Sequence, residues 1–403
     1  MGKNQMKIAI LAPEFIPTWG GVGIYTVSLV KALSTYSNLD IHVITPKRGK
    51  DYNANTIEKT FQKRITIHNL SVANDTFIYN FKFQLALLRH FKELDDLYHF
   101  DIIHSMNLVH MPDILLKLFQ NKKVLVTAHT SIQGQVGGFL KSNKNFFKMA
   151  PSEKGSILTY PIIALLQKIY LKKTIHMITV SNKFVTTFRN MGFTGRLVAI
   201  HNGIDETLFN KNVLPHSIGK KKGIKILFAG RLITQKGIGV FVKALSLLKN
   251  ENIHFVVAGL GGVKQFKQLL KDYNIPSHKI SFLGFIPNHE LPSVYRACDI
   301  FVLPSYYENF PISLLEAMSC GCCCISTDVG AVDEIIENGI NGFLLQPGDA
   351  TLLSKKIKIL ALNKTLRKKM ALQGYQKVHE HFTIQHMAAK TYKEYKIFQR
   401  MKR

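Results

Sequence analysis

Residues 300–321 read IFVLPSYYENFPISLLEAMSCG, and the order of residue types in this stretch predicts a strand, a loop and a helix. The run from 300 to 303 is apolar and of strand type, and Pro304 ends it because proline cannot donate to a ladder. Pro311 suits the first helical position, where its missing N–H would have no intrahelical partner. The sequence therefore predicts a helix that begins at Pro311, followed by amides without partners.

The start of this helix and two glutamates beside it predict a site for an anion. Free amides and the positive end of the helix dipole point the same way, so that a phosphate can bind there. Glu308 lies on the predicted loop, and Glu316 lies five residues into the helix, about a turn and a half deeper. At different depths, the two acids can hold hydroxyl groups on two parts of one ligand.

Alternating strand and helix patterns extend this unit over the whole chain. In the first half, apolar strand-type runs recur at 7–12, 41–45, 102–104, 124–128, 177–180 and 198–200. The alternation starts again near residue 222, with runs at 225–230, 254–258, 280–283, 300–303, 322–326 and 342–345. This order predicts two doubly wound parallel sheets covered by helices, joined by the polar linker 208–223. Ligands collect at the carboxyl ends of such strands, so the cleft between the two sheets is the expected active site.

Composition indicates a globular chain that attracts anions. The chain has 403 residues, of which 46% are apolar, and a formal net charge of +27 that is spread over both halves. Its anionic partner could be a nucleotide phosphate, a nucleic acid or an acidic membrane surface, and a lysine-rich genome would give the same composition. No apolar run approaches 18 residues, so no membrane-spanning helix is expected, and the N-terminus does not have the pattern of a signal peptide.

The five cysteines are predicted to be buried thiols rather than metal ligands. Four of them lie in the stretch Cys320-Gly321-Cys322-Cys323-Cys324. Consecutive strand residues alternate faces, so these thiols cannot converge on one tetrahedral ion, and no second Cys/His pair lies at ligand spacing. Free thiols are typical of a reducing cytoplasm.

Three further motifs lie at predicted strand ends. Arg231 and Lys236, in GRLITQKG after the first strand of the second half, could neutralise a diphosphate from two directions. A loop with Gly20 and Gly21 follows the first strand of the chain and lets the backbone approach a phosphate. His129 ends another strand, where its imidazole could bond a hydroxyl group.

Together these motifs resemble the retaining, nucleotide-sugar-dependent glycosyltransferases of family 4, which contain glycosyl transferases group 1 motifs. Members carry E-x7-E ahead of L-E-A-M-A-x-G, and a G-R-L-x-x-x-K-G element. The resemblance covers nearly the whole chain and implies a GT-B fold, with two facing Rossmann-like domains and a cleft between them. It implies an acceptor-side domain over 1–213, a donor-side domain over 214–383, and a final helix over 384–403 that crosses back to the first domain.

The resemblance also implies roles for individual residues. Glu308 would contact the transferred sugar and Glu316 the ribose, while Arg231 and Lys236 would hold the diphosphate. With His129, which would contact the sugar, Glu308, Arg231 and Lys236 form the expected catalytic group. The remaining donor-binding residues would be Gly20, Gly21, Phe285, Ile286, Asn309, Phe310, Pro311, Ile312 and Ser313. Phe285 and Ile286 would pair with the nucleobase through main-chain atoms.

One residue departs from the family pattern. Many relatives have glycine where this chain has Pro311, which can donate nothing to the sugar. The contacts would then shift to the amides of Phe310, Ile312 and Ser313.

The implied function is transfer of a hexosyl group, with retention, from a nucleoside diphosphate sugar, with a UDP-sugar favoured. No metal or cofactor is expected, because the basic residues and helix amides would stabilise the departing diphosphate. The acceptor would be a glycan or a lipid-linked glycan of cell-envelope polysaccharide biosynthesis. The enzyme would be cytoplasmic, associated peripherally with the anionic inner membrane surface, and without a nucleic-acid partner.

Two other functions stay open on the sequence. A GT-B nucleotide-sugar epimerase would use the same nucleotide pocket, and a non-enzymatic binder of nucleic acid or membrane surfaces would need only the basic charge. Two segments, 131–156 and 77–100, combine apolar and basic residues. The first is predicted as a surface loop, and either could face a membrane or an acceptor.

Overall fold

The computed structural model describes residues 5–17, 20–49, 52–73, 79–142 and 151–402, and only the backbone of 151–153 and 402. The chain forms two compact units. The first comprises Met1–Gln133, Leu158–Gly203 and Ile384–Arg403, and the second comprises Gly134–Ile157 and Ile204–Thr383. Each unit is built around one parallel sheet.

The first unit contains a seven-stranded sheet with the order β3-β2-β1-β4-β5-β6-β7. Its strands are β1 Met6–Leu11, β2 Leu39–Lys47, β3 Ile65–Val72, β4 Ile102–Ser105, β5 Leu125–Ala128, β6 His176–Thr179 and β7 Arg196–Ala199. The helices are α1 Gly21–Leu33, α2 Ala54–Thr60, α3 Tyr79–Tyr98, α4 Ile114–Phe119, α5 Ile132–Ser142, α6 Pro151–Lys172 and α7 Asn182–Asn190. Helices α5 and α6 each run from one unit into the other along the chain.

The second unit contains a six-stranded sheet with the order β10-β9-β8-β11-β12-β13. Its strands are β8 Ile224–Ala229, β9 Ile253–Ala258, β10 Ile280–Gly284, β11 Ile300–Leu303, β12 Cys323–Thr327 and β13 Gly342–Leu345. The helices are α8 Ile238–Ser246, α9 Val263–Asp272, α10 Leu291–Arg296, α11 Ile312–Ser319, α12 Val332–Ile335, α13 Ala350–Leu362 and α14 Lys364–His381. Every residue of β9, β11 and β12 is buried, because helices cover both faces of a parallel sheet.

The last helix, α15 Ile384–Lys402, is joined to the first sheet by buried polar contacts. The hydroxyl of Tyr395 lies 2.8 Å from Nδ1 of His104 in β4. Arg196 of β7 donates two hydrogen bonds to Glu394, at 2.7 and 2.9 Å, and Nε2 of His176 lies 2.8 Å from the same carboxylate. A buried charge is tolerated when it is paired and hydrogen-bonded in this way, so the network fixes α15 in the first unit.

The structure confirms the predicted pair of parallel-sheet domains, and it corrects two local predictions. Within the segment predicted as a loop, 132–142 form helix α5 and 151–156 belong to α6, while 143–150 lie outside the described residues. Gly134 and Gly138 lie one turn apart on α5, and a Cβ on Gly138 would come within 2.5 Å of Tyr307 Cβ. The absence of side chains at Gly134 and Gly138 therefore leaves space for the Tyr307 side chain to pack against helix α5. The second correction concerns Pro311, which precedes α11 with extended backbone (φ −71°, ψ 117°) and is not its first residue.

The other ambiguous segment, 77–100, is mostly a core helix. Within α3, the side chains of Phe83, Leu87 and Phe91 are fully buried against the first sheet. Among the helices of the described ranges, none combines the length and the apolar character needed to cross a membrane.

Candidate functional site

The candidate site of the second unit lies where its strand order reverses. Strands β8 and β11 are neighbours in the sheet although two other strands separate them along the chain. Ligands of open parallel sheets bind at such a switch point, beyond the carboxyl ends of the strands. Arg231 and Lys236 follow β8, and Glu308 follows β11, so both loops reach the same edge of the sheet.

An ion pair joins these two loops. Nζ of Lys236 lies 2.7 Å from Oε1 of Glu308, and the hydroxyl of Ser305 donates to the same oxygen at 2.7 Å. The Glu308 side chain is only 7% exposed, whereas that of Lys236 is 25% exposed. The carboxylate is thus fixed by two donors while part of the lysine faces solvent. The role of Ser305 could not be predicted from the sequence, because a serine after a strand is common in loops.

Two glycines set how closely the loops of this site approach. Gly237 follows Lys236 with φ +74°, and a Cβ there would lie 1.9 Å from the carbonyl oxygen of Pro304. Gly330 has φ +58°, and its Cβ would lie 1.9 Å from the carbonyl oxygen of Glu308. Both positions need glycine for two reasons. The backbone is in the left-handed region, and a Cβ would clash with the neighbouring carbonyl oxygen. The position of the Lys236–Glu308 pair therefore depends on these close approaches.

Helix α11 begins beside the ion pair with unsatisfied amides. The amide of Leu314 bonds the carbonyl of Pro311 at 3.2 Å, but in the described part of the chain no acceptor is found for the amides of Ile312 and Ser313. The loop before the helix is fixed by a bond of 2.9 Å from the amide of Ala331 to the carbonyl of Asn309. A helix start with such amides is suited to an anion, and the anion site at this position stays a prediction.

The second glutamate of the motif lies deeper and has different partners. Glu316 is 4% exposed, and the hydroxyl of Tyr295 donates to its Oε2 at 2.8 Å. Burial raises the pKa of Glu316 to about 7, against a smaller lowering by the Tyr295 hydrogen bond. Close to neutral pH this carboxyl is therefore ionised in only part of the molecules. Tyr295 was not among the predicted site residues, since its position on α10 gives no sequence signal.

The remaining predicted donor-binding residues of this unit lie at its surface or in the same loop. Arg231 is exposed and follows Gly230, whose φ is +150°. Phe310 is buried, with its ring 5.3 Å from that of Phe382. Phe285 is 64% exposed and, like Ile286, lies just beyond β10, the edge strand. Strand β10 is three positions from β11 in the sheet, about 14 Å at the usual strand spacing.

In the first unit the strand order reverses between β1 and β4; Gly20 and Gly21 come after β1, and His129 follows β5, the neighbour of β4. His129 follows β5 and is buried, and the ring of Tyr25 packs edge-on against it at 4.4 Å. Burial lowers the pKa of His129 to about 3, against a raising effect of its hydrogen bond to the backbone of Met106, so its imidazole is neutral at pH 7. Gly20 precedes α1, and a Cβ there would lie 2.8 Å from Oε2 of the buried Glu14.

Gly21 begins α1, and a Cβ on it would meet no atom within 4 Å. Tyr25 and Glu14 were missed by the sequence reasoning. Both lie within a few residues of the glycine loop and both are buried, which no local sequence pattern indicates.

Among the residues with described positions, no three His, Cys, Asp or Glu side chains could together hold a metal ion. The five cysteines are buried and free. Burial raises the pKa of Cys322 and Cys324 well above the usual thiol range, so both are protonated thiols.

Comparisons with known proteins agree with this architecture. The model described as Glycosyltransferase Family 4 matches residues 19–208, and the model described as Glycosyl transferases group 1 matches residues 211–377. An uncharacterized glycosyltransferase of Methanocaldococcus jannaschii is 26% identical over 420 aligned positions, which cover 99% of each chain. The N,N'-diacetylbacillosaminyl-diphospho-undecaprenol alpha-1,3-N-acetylgalactosaminyltransferase of Campylobacter jejuni is 32% identical over 169 residues, 42% of each chain. The crystal structure of Anabaena HepE in complex with UDP-glucose has a TM-score of 0.72 at 19% identity and covers 97% of this chain and 99% of its own.

Proposed function

Because the chain belongs to the glycosyltransferases of family 4, with a group 1 second half, we propose that it transfers a hexosyl group from a nucleoside diphosphate sugar. The donor is a UDP-sugar, and the acceptor is a glycan or lipid-linked glycan of cell-envelope polysaccharide biosynthesis. The observation that carries this proposal is the Lys236–Glu308 pair of 2.7 Å at the same sheet edge as the start of α11, where the amides of Ile312 and Ser313 have no acceptor among the described residues. This arrangement offers cationic and amide donors to a diphosphate and a carboxylate to a sugar.

The proposed leaving group is the nucleoside diphosphate. Lys236 and the exposed Arg231 contribute positive charge, and the start of α11 contributes amides, all at the same sheet edge. Fixed donors of this kind stabilise charge that develops in the transition state. The proposal therefore uses no metal ion and no cofactor for departure of the diphosphate.

Glu308 and Glu316 are assigned to the two ends of the donor. Glu308 accepts hydrogen bonds from sugar hydroxyls, since Lys236 and Ser305 both occupy Oε1 and leave Oε2 for the ligand. Glu316, deeper in α11, accepts from the ribose hydroxyls. The nucleobase pairs with the main chain at Phe285 and Ile286, beyond the edge strand.

The proposed reaction proceeds with retention at the front face of the sugar. The bond from the anomeric carbon to the phosphate oxygen breaks, and the acceptor oxygen forms the new bond on the same face. The acceptor proton passes to the departing phosphate. His129, neutral at pH 7, is assigned to a sugar hydroxyl, and Gly20 and Gly21 are assigned to the donor.

Support for the donor and acceptor classes comes from relatives. The name of the Campylobacter relative specifies a polyprenyl-diphosphate-linked sugar acceptor, and the HepE structure contains UDP-glucose. The net charge of +27 favours an acceptor at an anionic surface, which we take to be the cytoplasmic face of the membrane.

The first experiment is a panel of nucleoside diphosphates and their sugars, scored by thermal stabilisation. A site ligand raises the melting temperature by mass action, and the Lys236→Ala variant should lose most of the shift. The stabilising donor is then incubated with and without acceptors. A donor that changes without any acceptor would indicate an epimerase, and a panel in which no nucleotide stabilises the protein would contradict the proposal.

A further inference from the structure

Helix α6 carries a row of apolar side chains on its solvent face. Leu158, Ile162, Leu165 and Ile169 are 69, 66, 61 and 38% exposed. They follow one another at intervals of four, three and four residues, so they lie above one another on a single face. Isolated exposed leucines are ordinary on protein surfaces, whereas a continuous row marks an interaction site.

The opposite face of α6 is fixed to the first unit by polar contacts. Gln167 is fully buried, accepts from the amide of Ile132 at 3.2 Å and donates to Gln133 at 2.9 Å. Tyr170 is buried and donates to Asp113 at 2.6 Å. The helix therefore cannot rotate its apolar row inward without breaking buried hydrogen bonds. The inner face of α6 also buries Leu171 and the ring of Tyr170, so the exposed apolar row is additional to the apolar contact that the helix makes with its own unit.

From Lys154 onward, all charged residues of α6 are basic. No acidic residue occurs from Lys154 to Lys173. Lys168, Lys172 and Lys173 are exposed, and at 100° per residue all three project within about 90° of the row. Apolar side chains flanked by lysines are characteristic of helices that lie in the plane of an anionic membrane.

We propose that this α6 surface, formed by Leu158, Ile162, Leu165, Ile169 and the flanking Lys168, Lys172 and Lys173, docks on an anionic lipid bilayer. The apolar row enters the boundary between headgroups and acyl chains, and the lysines contact lipid phosphates. A second copy of the chain fits less well, because pairing of two such surfaces would bring lysines together without a compensating acid. The inference rests on the proposed function in one respect, that a lipid-linked acceptor is met at such a membrane.

The test is co-sedimentation of the full chain with vesicles of phosphatidylcholine, alone or mixed with phosphatidylglycerol. We expect binding to the mixed vesicles only. Leu158→Glu/Leu165→Glu should weaken it by about tenfold or more, since both charges would enter the apolar boundary. The matched control, Leu214→Glu/Leu362→Glu, changes two leucines that are 84 and 74% exposed elsewhere, and should bind like the wild type. Lys168→Ala should weaken binding by about fivefold, the effect of one lysine near an anionic surface.

Three results would overturn the proposal. The first is a wild type that does not bind the mixed vesicles, and the second is a Leu158→Glu/Leu165→Glu variant that binds them as well as the wild type does. The third is a wild-type dimer in sedimentation velocity that this variant converts to monomers. Thermal stabilisation by nucleotides is measured on the same variants and should be unchanged. Loss of vesicle binding with intact nucleotide binding separates this inference from the proposed function, whereas a wild type that binds vesicles but no nucleotide would contradict the proposed function alone.

Discussion

Replacing Lys236 with alanine should destabilise the second unit, because it removes one of the two donors to a buried carboxylate. Glu308, 7% exposed, would keep only the hydroxyl of Ser305. Breaking a fully buried pair costs about 3–5 kcal/mol and a surface pair about 0–1 kcal/mol. Since the lysine is 25% exposed, we expect a loss of about 2 kcal/mol, or roughly 4–8 °C in melting temperature for a domain of this size.

The partner variant, Glu308→Gln, should cost less. Its amide oxygen can still accept from Ser305, and the partly exposed Lys236 can turn to water, so we expect a loss of about 1 kcal/mol. In the double variant no charge is left without a partner. Its loss in free energy of unfolding should therefore be smaller than the sum of the two single losses by about 1–2 kcal/mol. Urea denaturation of the four proteins measures this coupling.

The two single variants should also differ in their effects on UDP binding and on sugar transfer. If Lys236 contacts the diphosphate, its removal costs a hydrogen bond to a charged group, about 1.5–3 kcal/mol, or roughly 10- to 150-fold in UDP affinity. Glu308→Gln should leave UDP affinity within about threefold, but it should lower sugar transfer, because the carboxylate is assigned to the sugar. Isothermal titration with UDP measures the first effect, and turnover with the donor that the nucleotide-sugar panel selects measures the second.

Lys243→Ala is the matched control, since it removes an exposed lysine of α8 in the same unit. It should resemble the wild type in stability and in UDP affinity. A coupling energy near zero would refute the energetic reasoning about the ion pair. A Lys236→Ala protein that binds UDP as tightly as this control would refute the assignment of Lys236 to the diphosphate.

Three further results are expected. Gly237→Ala should cost about 1–3 kcal/mol in urea denaturation, because its Cβ would lie 1.9 Å from a carbonyl oxygen at φ +74°, whereas Gly239→Ala, with open space inside α8, should be neutral or stabilising. Affinity for a nucleotide sugar should rise about tenfold from pH 6 to pH 8 and become flat in Glu316→Gln, because the pKa of Glu316 is about 7 and the ribose is assigned to its carboxylate. The free energy of unfolding of the first unit should fall below pH 6.5. Burial lowers the pKa of His104 to about 3 and that of His176 to about 4, so below pH 6.5 the unfolded chain binds more protons at these histidines than the folded chain does. For each histidine, the free energy of unfolding therefore falls by up to about 1.4 kcal/mol per pH unit until the folded pKa is reached. Equal stability at pH 7 and pH 5 would contradict this last expectation.

Much of the fold could be predicted from the sequence, because buried parallel strands are short, apolar and regularly separated by helices. Every predicted strand is present within about two residues of its expected bounds. Strand β3, Ile65–Val72, was not predicted. It contains His68, Asn69 and Ser71 and lies at the edge of the sheet, so it lacks the continuous apolar run of the central strands.

Helix α5 was missed for a tertiary reason. Its glycine-rich sequence favours a loop by local propensity, since glycine is a poor helix former. In the structure, Gly134 and Gly138 face Tyr307, where a Cβ would come within 2.5 Å of that side chain. Helix propensity describes the isolated segment, whereas these glycines are explained by the ring of Tyr307, which lies 173 positions after Gly134 and 169 after Gly138.

In the candidate site, the sheet topology determines which residues lie near each other, and side-chain packing determines their contacts and charge. Topology brings the loops after β8 and β11 to one edge, so the sequence alone is enough to expect Lys236 and Glu308 near each other. The 2.7 Å contact between them needs more, because the backbone of Gly237 must pass the carbonyl of Pro304 at a distance that no side chain permits. The protonation of Glu316 likewise depends on burial and on Tyr295, neither of which the motif encodes. A motif thus identifies the residues that can meet a ligand, and packing around them decides the charge with which they do so.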